Sequence, residues 1–373
     1  MKNWFVIRAD ANLTIGIGHI MRCLAIAEWA LDYGLTAVLI TRELPKGLKK
    51  STALLNVKVK LLPHNLDANS FDNYAHSTWL PTSEKCDAAQ TDLIIEQELL
   101  ERASSPSFII VDHYALAAPW EIQLSRFAPI LCIDDLNDRP HHCEWLIDQT
   151  FNKTSESYDE LVNESCKVFT GTFFALLRKE FQRHKHTGKR NFPSPSSKWH
   201  ILITLGGVDK FNITGLILNL LSQTKLFHQM NVTTVVGSTN PNIKELELIC
   251  NKDPKHLKLL VDVNNMSRLM LESDLCIGAA GSTSWERCAM SLPTLMVVLA
   301  DNQLTIAKNL DKGQICFNMG KAENINLQYL EKNLLNIMTQ PDIYMTMVNN
   351  SKKTCDGLGC KRILDTLMRD ITC

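Results

Sequence analysis

The chain has 373 residues, 45% hydrophobic and 21% charged, a balance that builds two buried cores and excludes disordered, collagen-like and coiled-coil chains. With 39 basic and 40 acidic residues the formal charge is −1, so no global field draws the molecule to nucleic acid or to an anionic membrane. The longest apolar run, Leu292 to Ala300, is far short of a bilayer span, and charge at Lys2, Arg8 and Asp10 comes too early for a signal-peptide core. Twelve scattered cysteines, none in a Cys-x-x-Cys pair, read as reduced thiols in a cytoplasm, and no conventional zinc spacing is present.

In chain order, Trp4 to Ile7 is a short apolar strand, followed by a glycine-containing stretch and an amphipathic run from Ile20 to Leu31. Gly34 stops that helix, and Thr36 to Thr41 is a second strand. Strand, helix and strand at this spacing form a βαβ unit, which implies a parallel sheet. The pattern returns with strand Phe108 to Val111, helix Trp120 to Arg126, strand Ile130 to Ile133 and strand Val168 to Gly171.

Basic residues then crowd between Arg178 and Arg190, ahead of the proline- and serine-rich Asn191 to Ser197. This segment reads as a linker, about 186–197, in preference to a nucleic-acid patch. A second α/β half follows: strand Ile201 to Leu205, helix Asn212 to Leu221, strands Val232 to Val236 and Leu275 to Gly278, a helix from Ser284, and strand Thr294 to Leu299. The expectation is two Rossmann-like domains, 1–185 and 198–373, with parallel sheets whose carboxyl ends face a cleft.

Three groups of residues can carry chemistry. The first is Asp10 with Gly16-Ile-Gly18-His19-Ile-Met-Arg22. It lacks the third glycine of a dinucleotide fingerprint. His19 falls at the start of a helix, where the dipole disfavours added positive charge and suits a general base; Arg22 shares its face. A capping histidine and a solvated arginine explain the same residues equally well. The second is Gly281-Ser282-Thr283-Ser284-Trp-Glu286, a strand-to-helix turn whose N–H groups suit a diphosphate, with Glu286 placed for a ribose diol. An ordinary capping box accounts for the same pattern. The third is the set of strand-end loops: Asp112-His113-Tyr114, Asp134-Asp135, Gly206-Gly207 and Asp301-Asn302-Gln303. Adjacent carboxylates on a strand end point opposite ways, which argues against Asp134 and Asp135 sharing a metal, and 138–143 reads as a structural turn.

The ordered combination of Arg8-Ala-Asp10, Gly16-x-Gly-His-x-Met-Arg22, Val111-Asp-x-Tyr114, Ile133-Asp-Asp-Leu136, Gly206-Gly207, Gly281-Ser-Thr-Ser-Trp-Glu-Arg287 and Ala300-Asp-Asn-Gln303 resembles the nucleotide-sugar hydrolases of pseudaminic acid biosynthesis. Those enzymes act on UDP-2,4-diacetamido-2,4,6-trideoxy-β-L-altropyranose, and the family is similar to glycosyltransferases of the GT-B fold. The resemblance implies His19 as catalytic base with Tyr114 opposite it, UDP against the C-terminal half, and Glu286 at the ribose. Asp10, Gly16, Gly18, Arg22, Gly206, Gly207, Gly281, Ser282, Thr283, Ser284, Asn302 and Gln303 are the remaining expected substrate contacts. The expectation is a monomer with a UDP-sugar substrate, no cofactor, no metal, and neither nucleic-acid nor membrane partner. The alternative is a UDP-sugar-dependent GT-B glycosyltransferase. Ala117 departs from the family pattern, which has an aspartate there.

Overall fold

The computed structural model describes residues 3–12, 14–63, 74–183 and 190–372, the side chains of 183 and 302 excepted. It divides into two compact units, 1–179 with 358–373, and 180–357.

In the first unit the strands are β1 (Trp4–Ala9), β2 (Thr36–Thr41), β3 (Lys58–Leu61), β4 (Ile109–Asp112), β5 (Ile130–Ile133), β6 (Trp145–Asp148) and β7 (Lys167–Thr170). They form one parallel sheet in the order β3-β2-β1-β4-β5-β6-β7. Continuous burial along β1, β4, β5 and β6 explains their unbroken apolar runs, since a parallel sheet is covered on both faces. The crossover helices are α1 (Gly18–Ala30), α2 (Lys46–Leu54), α3 (Glu84–Arg102) and α4 (Ala118–Leu124). Helix α1 buries Ile20, Cys23, Leu24, Ile26 and Ala27 on one face of the sheet. On the other face, Leu80, Ala88, Ile95, Trp120 and Leu124 pack against Val6, Val38 and Ile109.

The short helix α5 (Lys179–Arg183) opens the second unit. Its strands are β8 (Trp199–Thr204), β9 (Met230–Val236), β10 (Leu257–Val261), β11 (Leu275–Ala279), β12 (Thr294–Val298) and β13 (Phe317–Lys321), all parallel in the order β10-β9-β8-β11-β12-β13. Helices α6 (Ile213–Gln223), α7 (Ile243–Lys252), α8 (Met266–Glu272), α9 (Thr283–Ala289), α10 (Leu304–Lys312), α11 (Leu327–Thr339) and α12 (Pro341–Thr354) complete it, and α13 (Gly359–Thr372) ends the chain.

Both sheets reverse direction of winding beside their first strand, between β1 and β4 and between β8 and β11. Ligands of such sheets bind outside the carboxyl ends of the strands at this switch point. The glycine stretch after β1 and the turn after β11 both stand there.

The expected boundaries need one correction. Helix α13 belongs to the first unit, because Ile363, Leu364 and Leu367 join the core beside α1, and Trp145 Nε1 donates to Asp370 at 2.9 Å. Its entry is tight: a Cβ at Gly359 would lie 2.3 Å from the Ala175 carbonyl oxygen. The anticipated linker is not free chain at its far end either. Arg190 donates to the carbonyls of Ser273 and Met270, and Phe192 packs edge-on to Trp199 and Tyr344. Residues 184–189 of that segment lie outside the described residues.

Candidate active site

The loop from β1 to α1 turns on Asn12. Its Oδ1 accepts from the N–H groups of Thr14 and Ile15, each at 2.8 Å, and its carbonyl accepts from Gly16. Gly16 sits at φ 78°, a left-handed conformation that glycine takes without strain. Gly18 shows no such need, and a Cβ there would meet nothing within 4 Å, so the second glycine leaves open space. Helix α1 begins at Gly18 without a side-chain cap and places His19 in its first turn.

His19 is 8% exposed and lies beside the end of β4. Its Nδ1 is 2.6 Å from Asp112 Oδ1. Asp112 is fully buried; burial alone would raise its pKa, but Arg22 and His19 outweigh it and hold the carboxylate well below its usual range. Arg22 grips the same carboxylate with Nε and Nη2, both at 2.6 Å, and reaches Asp135 with Nη1 at 2.8 Å. An ionised partner at Nδ1 takes that nitrogen's hydrogen, which leaves Nε2 as the acceptor of the neutral ring. This is the arrangement that equips an imidazole to collect a proton.

Tyr114 stands edge-on to His19 with ring centroids 4.7 Å apart, and its hydroxyl donates to Asp135. Burial and the Asp135 charge push its pKa well up, so the phenol stays protonated. Trp79 tilts against Tyr114 at 5.2 Å and meets His19 edge-on at 5.7 Å. His76 touches both Trp79 and Tyr114, at 4.8 and 5.4 Å.

Two expected contacts are held by partners within the protein. Asp10 is 4% exposed and faces inward: its carboxylate takes Arg8, the Thr41 hydroxyl and the Arg42 backbone N–H. Arg8 continues to Asp87 on α3, which also accepts from Arg42 and the Trp120 indole. This buried network ties the ends of β1 and β2 to α3. Arg22, read as a substrate contact, is held by two carboxylates.

Asp134 and Asp135 do point apart. Asp134 joins Arg139, Tyr158 and His141, whereas Asp135 joins Arg22 and Tyr114. The 138–143 turn buries His141 between Glu121 and Asp134, beside Cys132; these acids and that thiol raise its pKa well up against the opposing effect of burial. Ala117 caps α4 without a side-chain acceptor, and Glu84 from α3 takes its N–H at 2.6 Å.

In the second unit Gly206 follows β8 at φ 96°, and Gly207 accepts from the Gly237 N–H at 2.9 Å. A Cβ at Gly237 would stand 2.9 Å from that oxygen, so the two loops approach at backbone distance. After β11, a Cβ at Gly281 would meet nothing within 4 Å. Ser284 is 1% exposed, its hydroxyl accepts from Arg287 at 3.0 Å, and its N–H is taken by the Gly281 carbonyl. Thr283 Oγ1 also accepts from Arg287, at 3.1 Å. Arg287 closes the motif in the sequence without a role assigned to it. It lies 2% exposed beneath the turn and bonds the Ala279 carbonyl at 2.6 Å. The Gln303 amide oxygen accepts from the Leu299 N–H at 2.9 Å and closes the loop after β12. Ser282 is exposed and Glu286 half-buried at the turn, and the Asn302 side chain lies outside the described residues.

Residues 200–360 match the glycosyltransferase family 28 C-terminal domain. Across 307 residues the chain is 26% identical to the UDP-2,4-diacetamido-2,4,6-trideoxy-beta-L-altropyranose hydrolase of Campylobacter jejuni, covering 82% of this chain and 95% of that one. The fold is similar to Acinetobacter baumannii MurG, with a TM-score of 0.65 at 14% identity over 99% of this chain and 100% of that one. It is also similar to the S. aureus MnaA-UDP co-structure, with a TM-score of 0.60 at 14% identity over 99% and 97%. Among the described residues no helix is long and apolar enough to cross a membrane. The chain thus has the GT-B fold, is similar over residues 200–360 to the glycosyltransferase family 28 C-terminal domain, and resembles the diacetamido-altropyranose hydrolase across most of its length.

Proposed function

We infer that this protein is a UDP-sugar hydrolase that cleaves UDP-2,4-diacetamido-2,4,6-trideoxy-β-L-altropyranose at the anomeric carbon and releases UDP and the free sugar. The reaction is a cytoplasmic step of pseudaminic acid biosynthesis carried out by a monomer. The observation that supports it most is the His19–Asp112 pair, an imidazole with an ionised partner, held at the switch point of a sheet whose fold relatives include a UDP complex.

Water attacks C1 as the C1–O bond breaks, through an oxocarbenium-like transition state, and the configuration inverts. His19 Nε2 takes the proton from water, and Asp112 stabilises the imidazolium that forms. Arg22 keeps Asp112 ionised and in place. Tyr114, a protonated donor braced on Asp135, flanks the sugar. The bond's electron pair leaves with UDP, whose charge is met by backbone N–H groups of the turns at Gly206-Gly207 and Gly281-Ser282-Thr283. Asn302 and Gln303 border that nucleotide site, and Glu286 accepts from the ribose hydroxyls. The reaction runs without a metal or cofactor.

Exchange of His19 for Asn tests this reading. The variant is expected to bind UDP as the wild type does while turnover falls about 10²- to 10⁴-fold. Near-wild-type turnover would remove His19 from the mechanism. A protein that binds the sugar nucleotide yet releases no UDP until a sugar acceptor is added would be the glycosyltransferase.

A further inference from the structure

The sheet of the first unit carries two thiols in contact at its amino end. Cys143 closes the 138–143 turn just ahead of β6, and Cys166 stands just ahead of β7. Their sulfur atoms are 3.7 Å apart. Backbone bonds on both sides fix this pairing: the Glu144 N–H donates to the Ile130 carbonyl, the Lys167 N–H to the Glu144 carbonyl and the Cys166 N–H to the Asn163 carbonyl. Both side chains lie on the same face of the sheet, where Cys143 joins the core and Cys166 packs at its margin. Closing the gap to the roughly 2.05 Å of an S–S bond moves each sulfur by about 0.8 Å.

The two thiols differ in access. Cys143 is 1% exposed, whereas Cys166 is half-buried and follows the exposed Glu164 and Ser165. Cys86, the other half-buried cysteine among the described residues, has the Gln90 amide against its sulfur in place of a second thiol. Cys132, a third thiol on the same face as the pair, is held by the His141 ring at 3.3 Å. The hydrogen bond to Cys166 and burial push the Cys143 thiol well up, so Cys143 stays protonated while Cys166 meets solvent. Access and contact thus assign the roles: Cys166 receives an oxidant, and Cys143 resolves the product.

We propose that Cys143 and Cys166 form a reversible modification site, in which hydrogen peroxide joins their sulfurs into a disulfide that clips β6 to β7. The Cys166 thiolate attacks a peroxide oxygen, the O–O bond breaks, and Cys166 becomes a sulfenic acid as the first water leaves. The Cys143 sulfur then attacks the sulfenic sulfur, the S–O bond breaks, and hydroxide leaves with the thiol proton as the second water. Two thiols and one peroxide give one disulfide and two waters, the sulfurs being oxidised and the peroxide oxygens reduced. A dithiol reverses the bridge by exchange. The clip sits at the amino ends of the strands, away from the carboxyl ends where His19 stands, and it does not rest on the sugar-nucleotide reading.

The test treats the reduced full chain with a small excess of hydrogen peroxide, blocks the remaining thiols with iodoacetamide and maps the peptides by mass. A joined Cys143–Cys166 peptide, lighter by two hydrogens than its reduced parts and split by dithiothreitol, is the expected result. Closing the segment 143–166 restricts the unfolded chain, so oxidation should raise the Tm of the first unit by about 5–10 °C. Cys166→Ser, a change at the margin of the core, should abolish both the bridge and the shift, whereas Cys86→Ser should keep both. Alkylation of both Cys143 and Cys166 after peroxide would overturn the site. So would a bridge between Cys132 and Cys143, Cys166 driven to sulfinic acid beside a free Cys143, or a Cys143–Cys166 bridge that leaves Tm unchanged or lower.

Discussion

Asp112→Asn is the substitution that isolates the proposed proton acceptor from the rest of the protein. The carboxylate receives His19 Nδ1 at 2.6 Å and two Arg22 nitrogens at 2.6 Å. An amide keeps the shape and loses the charge. Turned one way, its oxygen still holds the hydrogen on Nδ1. Turned the other way, its N–H faces Nδ1, the ring hydrogen moves to Nε2, and a donor stands where an acceptor is required. Arg22 favours the first orientation only weakly once the anion is gone. An equivalent exchange behind the histidine of a serine-protease triad lowers kcat about 10⁴-fold, and general-base assistance as a whole is worth about 10²- to 10⁴-fold. The expected loss in kcat is therefore about 10²- to 10⁴-fold, or about 3 to 5 kcal/mol of barrier. The assay is continuous UDP release, with UDP affinity measured by calorimetry to show that the second unit is intact. Thermal unfolding reports the separate cost of leaving Arg22 with an uncharged partner. A variant that turns over within about threefold of wild type would refute the claim that Asp112 sets the tautomer of a catalytic His19.

Three further outcomes are expected. Glu286→Ala should weaken UDP binding in calorimetry, and unchanged affinity would contradict its place at the ribose. Gly359→Ala puts a methyl 2.3 Å from a backbone oxygen, so α13 must shift off the first unit; a loss of about 1–3 kcal/mol in denaturant unfolding is expected. Acid stability follows Asp10, Asp87, Asp112 and Asp134, which burial alone would push up but whose cationic partners hold below the usual carboxylate range. As pH falls, the unfolded chain takes up these protons first. The stabilisation is thus complete above about pH 4 and drains away below it, which an unfolding series from pH 6 to pH 2 reads directly.

The fold was legible because parallel strands buried on both faces announce themselves: β1, β2, β5, β8, β11 and β12 coincide with apolar runs within a residue or two. Strand β3 carries Lys58 and Lys60 at the sheet edge and has no such run. The return of helix α13 to the first unit is a long-range packing fact that no local pattern carries. The site divides the same way. Glycines after β1 and β11 mark strand-to-helix turns, so His19 and the 281–286 segment stand out in the sequence. Asp112 lies 93 positions from His19, and only the adjacency of β1 and β4 brings them together. The partners that hold Asp10, Arg22 and Ser284 were not legible, because a polar residue near a loop gives no local sign of the buried group it bonds.

The central claim is that water is the acceptor and C1–O is the bond that breaks. The direct measurement incubates the protein with the diacetamido-altrose nucleotide in ¹⁸O-enriched water containing EDTA, with no sugar acceptor, and follows the anomeric protons and the label. Prompt UDP release with ¹⁸O in the sugar and none in UDP is the predicted result. Label in UDP would mean attack at phosphorus and would contradict the His19 mechanism. Absence of release while UDP still binds would contradict hydrolysis itself.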